Sequence, residues 1–167
     1  GNAFGAESLA ASVDDKWRAM FELNVLGVLR MTRTLLPKLI ASGDGLIVNL
    51  GSIAGVETYP GGGGYAASKH AAHALTRTLR LELLGQPVRI TEILPGLAET
   101  EFALVRFDGD RERAKKVYEG MTPLTAEDIA EAVRWVATLP AHVDIDEIVI
   151  RPRDQATTML VHRRPKE

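Results

Sequence analysis

"LIVNLGSIAGVETYPGGGGYAASKHAAHALTRTLRLELLG", residues 46–85, decides the fold of this chain. It opens on a short apolar run with β-branched members, crosses four consecutive glycines, and continues into an alanine-rich stretch that closes at Gly85. The run 46–50 reads as a strand covered on both faces, as in a parallel sheet. Residues 64–84 read as a helix, with Gly85 as a common terminating residue. The glycines between them admit two readings. Gly61-x-Gly63-x-x-Ala66 loosely fits a dinucleotide-binding fingerprint, with Glu82 near the place of a ribose-binding acid. Such glycines should follow directly on a strand and open its helix. Gly61 instead comes ten residues after Gly51, and Glu82 falls inside the helix. The run reads better as a flexible loop into the helix of Tyr65, where glycine opens backbone conformations closed to other residues.

Outward from this unit, strands and helices alternate. Residues 12–41 read as one long helix, with Ser12 and Asp14 at its start and Trp17, Met20, Val28, Met31 and Leu35 on one apolar stripe. Gly27 and Pro37 are its weak points. "VRITEIL", 88–94, is a second strand, stopped by Pro95-Gly96. A helix over 126–138 begins at a capping box of Thr125 and Asp128. "EIVIR", 147–151, is a last strand, and "RRPKE" reads as a frayed tail. The order implies an α/β fold with a parallel sheet and right-handed crossovers. Residues 1–156 form one unit and 157–167 a C-terminal tail.

Composition narrows the classes. The 167 residues are 46% hydrophobic and 25% charged, the balance of an ordinary globular domain. A formal net charge of −2 gives no electrostatic reason to expect a nucleic-acid or anionic membrane partner. The absence of cysteine excludes disulfides and thiolate chemistry. No apolar run reaches membrane-spanning length, and the first residues lack the pattern of a secretory signal, so a cytoplasmic location is expected.

Candidate chemistry gathers around the glycines. Tyr65 and Lys69 stand four residues apart on the predicted helix and share one face. Ser52 lies just past the strand 46–50, where a strand tip meets the ligand crevice of such folds. Asn24 sits on the apolar stripe of the long helix, where a buried amide needs partners. Each alone has a plainer reading: a turn serine, a core-network asparagine, a solvated lysine, a tyrosine capping its loop. His70 and His73, spaced i and i+3, suggest a metal pair but have no third ligand in sight, so a solvated face is the better reading and no metal is expected.

Together the four resemble the active site of the short-chain dehydrogenase/reductase family. The matching stretches are "LNVLG", "GLIVNLGSIAG", "GGGGYAASKHA" and "ILPGLAET". The resemblance runs from Gly1 to about Ala156 and implies a Rossmann-like, doubly wound sheet. It implies Tyr65 as general acid–base, with a phenol pKa lowered by the Lys69 ammonium. Lys69 would also hold the nicotinamide ribose, Ser52 would orient the substrate oxygen, and Asn24 would hold a water that relays protons from Lys69. Pro95 and Gly96 would shape the loop over the nicotinamide, and Thr100 would contact the cofactor.

The stretch from Pro95 onward is similar to the NADP-dependent 3-hydroxy acid dehydrogenases, including serine and L-allo-threonine dehydrogenases. That implies NADP as cofactor, with NAD the alternative, and a small 3-hydroxy acid or related carbonyl compound as substrate. Arg106 is the candidate partner of a substrate carboxylate, against salt bridges to Glu99, Glu101 or Asp108. Ala103 replaces a serine common in that group, and relatives acting on bulkier carbonyl compounds share much of the tail. The family's glycine-rich turn is not in these residues, so the chain is expected to be the back half of a longer protein. Competing expectations are a catalytically silent binding module and an isomerase, dehydratase or epimerase on the same scaffold. The family further implies a homotetramer packed through helices 12–41 and 64–84.

Overall fold

The computed structural model describes residues 1–165, and its centre is a three-stranded parallel sheet in the order β1-β2-β3. The strands are β1 (Gly45–Leu50), β2 (Val88–Pro95) and β3 (Glu147–Ile150). β2 lies in the middle and pairs Gly45–Leu50 with Val88–Ile93 on one edge and Glu147–Ile150 with Glu92–Pro95 on the other. Its central residues Arg89–Leu94 are all buried, whereas β1 is only partly covered. The both-faces-buried pattern expected of 46–50 therefore belongs to β2.

Two layers cover the sheet. Alternation along β2 sends Glu92 towards α3 (Gly63–Glu82), where it meets His73, and Arg89 towards α6 (Ala126–Ala137), where it donates to the Val136 carbonyl at 3.2 Å. Helices on opposite faces of a parallel sheet make the fold α/β and Rossmann-like, as expected. Thr125 and Asp128 form the expected capping box at the start of α6.

The long helix is continuous but not uniform. α1 (Asp14–Phe21) passes into a π-helical stretch, Glu22–Leu26, and then α2 (Gly27–Ala41), which runs through Pro37 without stopping. Val13, not Ser12, occupies the cap position, and the Ser12 hydroxyl donates to the Leu9 carbonyl instead. The apolar stripe divides at the π stretch. Trp17 and Met20 pack against the start of α3, while Met31 and Leu35 are exposed.

The glycine run is a packed turn, not a flexible loop. Gly62 N–H donates to the Tyr59 carbonyl at 3.0 Å, and Gly61 takes φ +73°, the geometry of a turn with Pro60 at its first corner. A Cβ on Gly61 would meet the Ala6 carbonyl oxygen at 2.6 Å, and one on Gly64 would meet Met20 Cε at 2.4 Å and the Trp17 ring at 3.0 Å. Close approach of backbone to backbone and to the indole, rather than mobility, requires glycine here.

Beyond the expected elements, two short helices fold over the open end of the sheet: α4 (Phe102–Arg106) and α5 (Arg111–Tyr118). The tail is also ordered through Pro165. Arg163 donates to the Val117 and Glu119 carbonyls, and Arg164 N–H donates to the Gly120 carbonyl at 2.7 Å. These bonds to main-chain carbonyls replace the fraying expected of "RRPKE", whose last two residues, Lys166 and Glu167, lie outside the described residues.

Candidate active site

The carboxyl ends of β1 and β2 open on a cavity of about 630 Å³ lined by Ser52, Tyr65, Lys69, Pro95, Gly96, Thr100 and Arg106. Gly51 N–H extends the β1–β2 ladder by donating to the Ile93 carbonyl at 2.8 Å. Ser52 follows it and caps a short 3₁₀ turn, its Oγ accepting from Ala54 N–H at 3.1 Å. Tyr65 enters from the first turn of α3, its ring tilted 58° to that of Phe102 at 5.3 Å. One turn on, the buried Lys69 places its ammonium 2.9 Å from the Leu50 carbonyl and 5.9 Å from the Tyr65 ring centroid. Asn24 stands behind this wall, in the π-helical stretch. Its Oδ1 accepts from Asn2 N–H at 2.8 Å, and its Nδ2 donates to the Asn2 carbonyl at 2.8 Å and to Ser68 Oγ at 2.9 Å. The amide is fully partnered and ties the start of the chain to α3.

Burial dominates the electrostatics. It pushes the Tyr65 phenol up to about 12, with a hydrogen bond from Ser52 pulling in the opposite direction. Burial also brings the Lys69 ammonium down to about 8, partly offset by the negative charge of Glu92. The expected lowering of the tyrosine by its lysine is thus not found in this state. Lys69 faces the flat of the ring and spends one N–H on Leu50, and desolvation outweighs every favourable charge near the phenol.

The loop after β2 is held from three sides. Gly96 N–H donates to the Ile150 carbonyl at 2.7 Å, Gln155 Oε1 accepts from Leu97 N–H at 2.8 Å, and the Tyr118 hydroxyl donates to the Ala98 carbonyl at 2.9 Å. Thr100 borders the cavity and accepts from Phe102 N–H at 3.2 Å, starting α4. Arg106 makes none of the carboxylate pairs weighed for it. Its Nε donates to the Gly5 carbonyl at 3.0 Å, Nη1 to the Tyr59 hydroxyl at 2.8 Å and Nη2 to the Gly61 carbonyl at 3.1 Å. The guanidinium thereby binds the lid to the glycine turn.

Comparison with known proteins places this geometry. The family model described as short chain dehydrogenase matches residues 3–110. The chain belongs to the short-chain dehydrogenase family. This short-chain dehydrogenase is 64% identical over 155 residues to an uncharacterised oxidoreductase of Mycobacterium tuberculosis, covering 93% of the chain and 62% of the relative. It is 48% identical over 166 residues to an NADP-dependent 3-hydroxy acid dehydrogenase of Salmonella typhimurium, covering 98% and 66%. It is 45% identical over 157 residues to a sulfoacetaldehyde reductase of Chromohalobacter salexigens, covering 93% and 62%. Among solved structures, the closed form of serine dehydrogenase complexed with NADP+ superposes with a TM-score of 0.92 at 42% identity, over 98% of the chain and 66% of that structure. The chain spans between 62% and 66% of the length of these relatives.

Three residues of this short-chain dehydrogenase had no signal in the sequence. Gln155 is buried against Gly96 and donates from Nε2 to the Thr157 carbonyl at 3.1 Å. Glu57, five residues past Ser52, accepts from Arg151 and from Thr158 N–H at 2.7 Å, anchoring the serine's loop to the tail. Phe102 walls the tyrosine. All act through contacts between distant segments, which periodicity and spacing do not encode. Among the described residues, no helix is long and apolar enough to cross a membrane, and no cluster of three metal-ligating side chains occurs.

Proposed function

We propose that this chain carries the catalytic half of an oxidoreductase that moves a hydride between NADP(H) and a small 3-hydroxy acid or related carbonyl compound. The observation that carries this is the convergence of the Ser52 and Tyr65 hydroxyls and the Lys69 ammonium on one cavity at the strand tips. Tyr65 is the general acid–base. With its phenol held near 12, it is a proton donor at neutral pH and suits carbonyl reduction, giving its proton to the oxygen that becomes the hydroxyl. Ser52 hydrogen-bonds that oxygen and orients it. Lys69 has two N–H donors left after Leu50, and these suit a ribose diol beside the tyrosine. Asn24 fixes Lys69's helix from behind through its bond to Ser68.

The donor set fits a nicotinamide nucleotide. Lys69 and Tyr65 would hold its ribose, and Pro95, Gly96 and Thr100 its nicotinamide side. When bound, the nicotinamide supplies the hydride donor or acceptor. NADP is preferred over NAD because the 3-hydroxy acid dehydrogenase among the relatives is named as NADP-dependent and the serine dehydrogenase structure is complexed with NADP+. Arg106 binds the substrate carboxylate with its uncommitted N–H groups. By donating to Tyr59 it also leaves that hydroxyl's proton free for the same anion. Exposed apolar side chains on α2 and α3, such as Leu29, Met31, Leu35 and Leu81, support a homotetramer through these helices. We assign the protein to the cytoplasm, without nucleic-acid or membrane partners. The test is Tyr65→Phe with NADPH and a panel of 3-oxo acids. A loss of about 10²–10⁴-fold with the fold intact is expected, and unchanged turnover refutes the assignment. Stoichiometric NADPH consumption separates it from an isomerase or epimerase on the same scaffold.

A further inference from the structure

Lys69 has a charged neighbour that the proposed reaction does not use. One turn along α3, His73 places Nδ1 2.8 Å from Oε2 of Glu92, and its other ring nitrogen lies 3.8 Å from Oε1 of Glu147. Glu92 is in the middle of β2, in register with Asn49 and Glu147 on either side, and is 1% exposed. Burial pushes its carboxyl up and the His73 hydrogen bond draws it back. A carboxylate at the centre of a sheet is costly to keep without partners. Its Oε1 lies against Gly51, where a Cβ would stand 2.3 Å away and push the carboxyl aside. Gly51 sits between Leu50, whose carbonyl receives the Lys69 ammonium, and Ser52. The titratable groups facing Glu92 are Lys69 and His73 from α3 and Glu147 from β3. Glu147 is the outermost of them, with its side chain 31% exposed.

The geometry points to Glu92 as a positioning residue for the acid–base pair: anchored by His73, its negative charge keeps the Lys69 ammonium charged from behind the strand tip, and Glu147 links the chain of charges to bulk water. This rests on the function proposed above. The alternative is a residue kept only for its shape. Glu92→Gln keeps the shape and removes the charge, whereas Glu92→Asp keeps the charge and shortens the side chain, so the two variants separate the roles.

Two readouts are taken on the full protein. The first is the pH profile of kcat/KM, in which loss of the ammonium forms the alkaline limb. The second is the titration of Lys69 followed by NMR on protein carrying ¹³C at the lysine ε-carbon, which needs no substrate. Glu92→Gln moves both to lower pH. A one-unit move, the low end for a neighbouring buried charge, lowers kcat/KM about tenfold on the alkaline side. Glu92→Asp returns both towards wild type. If Glu92→Gln leaves both where they were, or if Asp is the more damaging of the two, the proposal is overturned. If the Lys69 titration moves while even the wild type reduces no oxo acid, the function fails and the electrostatic link stands. Should Glu92→Gln not fold, His73→Phe, which removes the hydrogen bond that draws the Glu92 carboxyl back, reads the same link. A smaller fall of the Lys69 midpoint supports it, and no fall overturns it.

Discussion

Replacing Lys69 by methionine should make this protein more stable at neutral pH while abolishing its proposed activity. Burial lowers the Lys69 ammonium from 10.5 to about 8. At about 1.4 kcal/mol per pH unit, the folded state bears a penalty of about 3 kcal/mol for keeping that charge. Lys69 is 5% exposed, so solvent screens little of it. Methionine keeps most of the apolar stem. Its own cost is an unpartnered Leu50 carbonyl, about 1–3 kcal/mol, so the net gain at pH 7 is about 0–2 kcal/mol. The sign with pH follows from linkage. The folded-state value lies below the unfolded one, so the penalty is fully present below pH 8 and is relieved as pH rises towards 10.5. Urea unfolding of both proteins at pH 7 and pH 10.5 checks this. The difference between them should shift by about 3 kcal/mol in favour of the wild type at the higher pH. A variant less stable at pH 7, or a pH-independent difference, refutes it.

Other substitutions probe the frame of the site. Gly61→Ala forces a side chain into φ +73° and against the Ala6 carbonyl, and should cost at least about 2 kcal/mol in thermal or urea unfolding. Arg106→Ala removes the bonds from the lid to Gly5, Tyr59 and Gly61, and should raise KM for the oxo acid at least about tenfold while leaving NADPH affinity near wild type. Thr125→Ala breaks the capping box of α6 and should cost about 1 kcal/mol with little effect on turnover. Because burial holds the Tyr65 phenol up near 12, alcohol oxidation should climb with pH from 6 to 10 while carbonyl reduction does not; an oxidation rate flat over that range contradicts the role given to Tyr65. Light scattering should give a tetramer, and a monomer refutes the packing through α2 and α3.

The strand–loop–helix unit around Tyr65 was legible because each of its parts is local. β-branched residues, a glycine turn and an alanine-rich helix encode themselves over a few residues, and Tyr65, Lys69 and Ser52 follow from their places on it. Asn24 was placed on the right element, but the π-helical stretch that buries it has no signature in residue type. The lid helices escaped notice because "FALVR" and "RERAKKVY" are too short for a periodic pattern. The tail's order is hidden for a different reason. Its order comes from Arg163 and Arg164 reaching carbonyls about forty residues away, and a polar, charged sequence gives no hint of such partners. By its spacing His73 reads as a solvated helix residue, yet it lies against Glu92.

The π-helical stretch Glu22–Leu26 behaves as one residue too many in the helix that contains it. Removing any one residue there would let an uninterrupted α-helix form, with better local hydrogen bonding. Because a π turn takes one residue more than an α turn, the flanking helices would keep their phase, and Trp17 and Met20 would stay on Gly64. The loss would fall on the stretch itself: Asn24, buried at the bulge, would be re-aimed and lose its bonds to Asn2 and Ser68. The chain therefore keeps an imperfect helix to place one amide, and a single-residue deletion that improves the helix would untie the start of the chain from the helix of Tyr65 and Lys69.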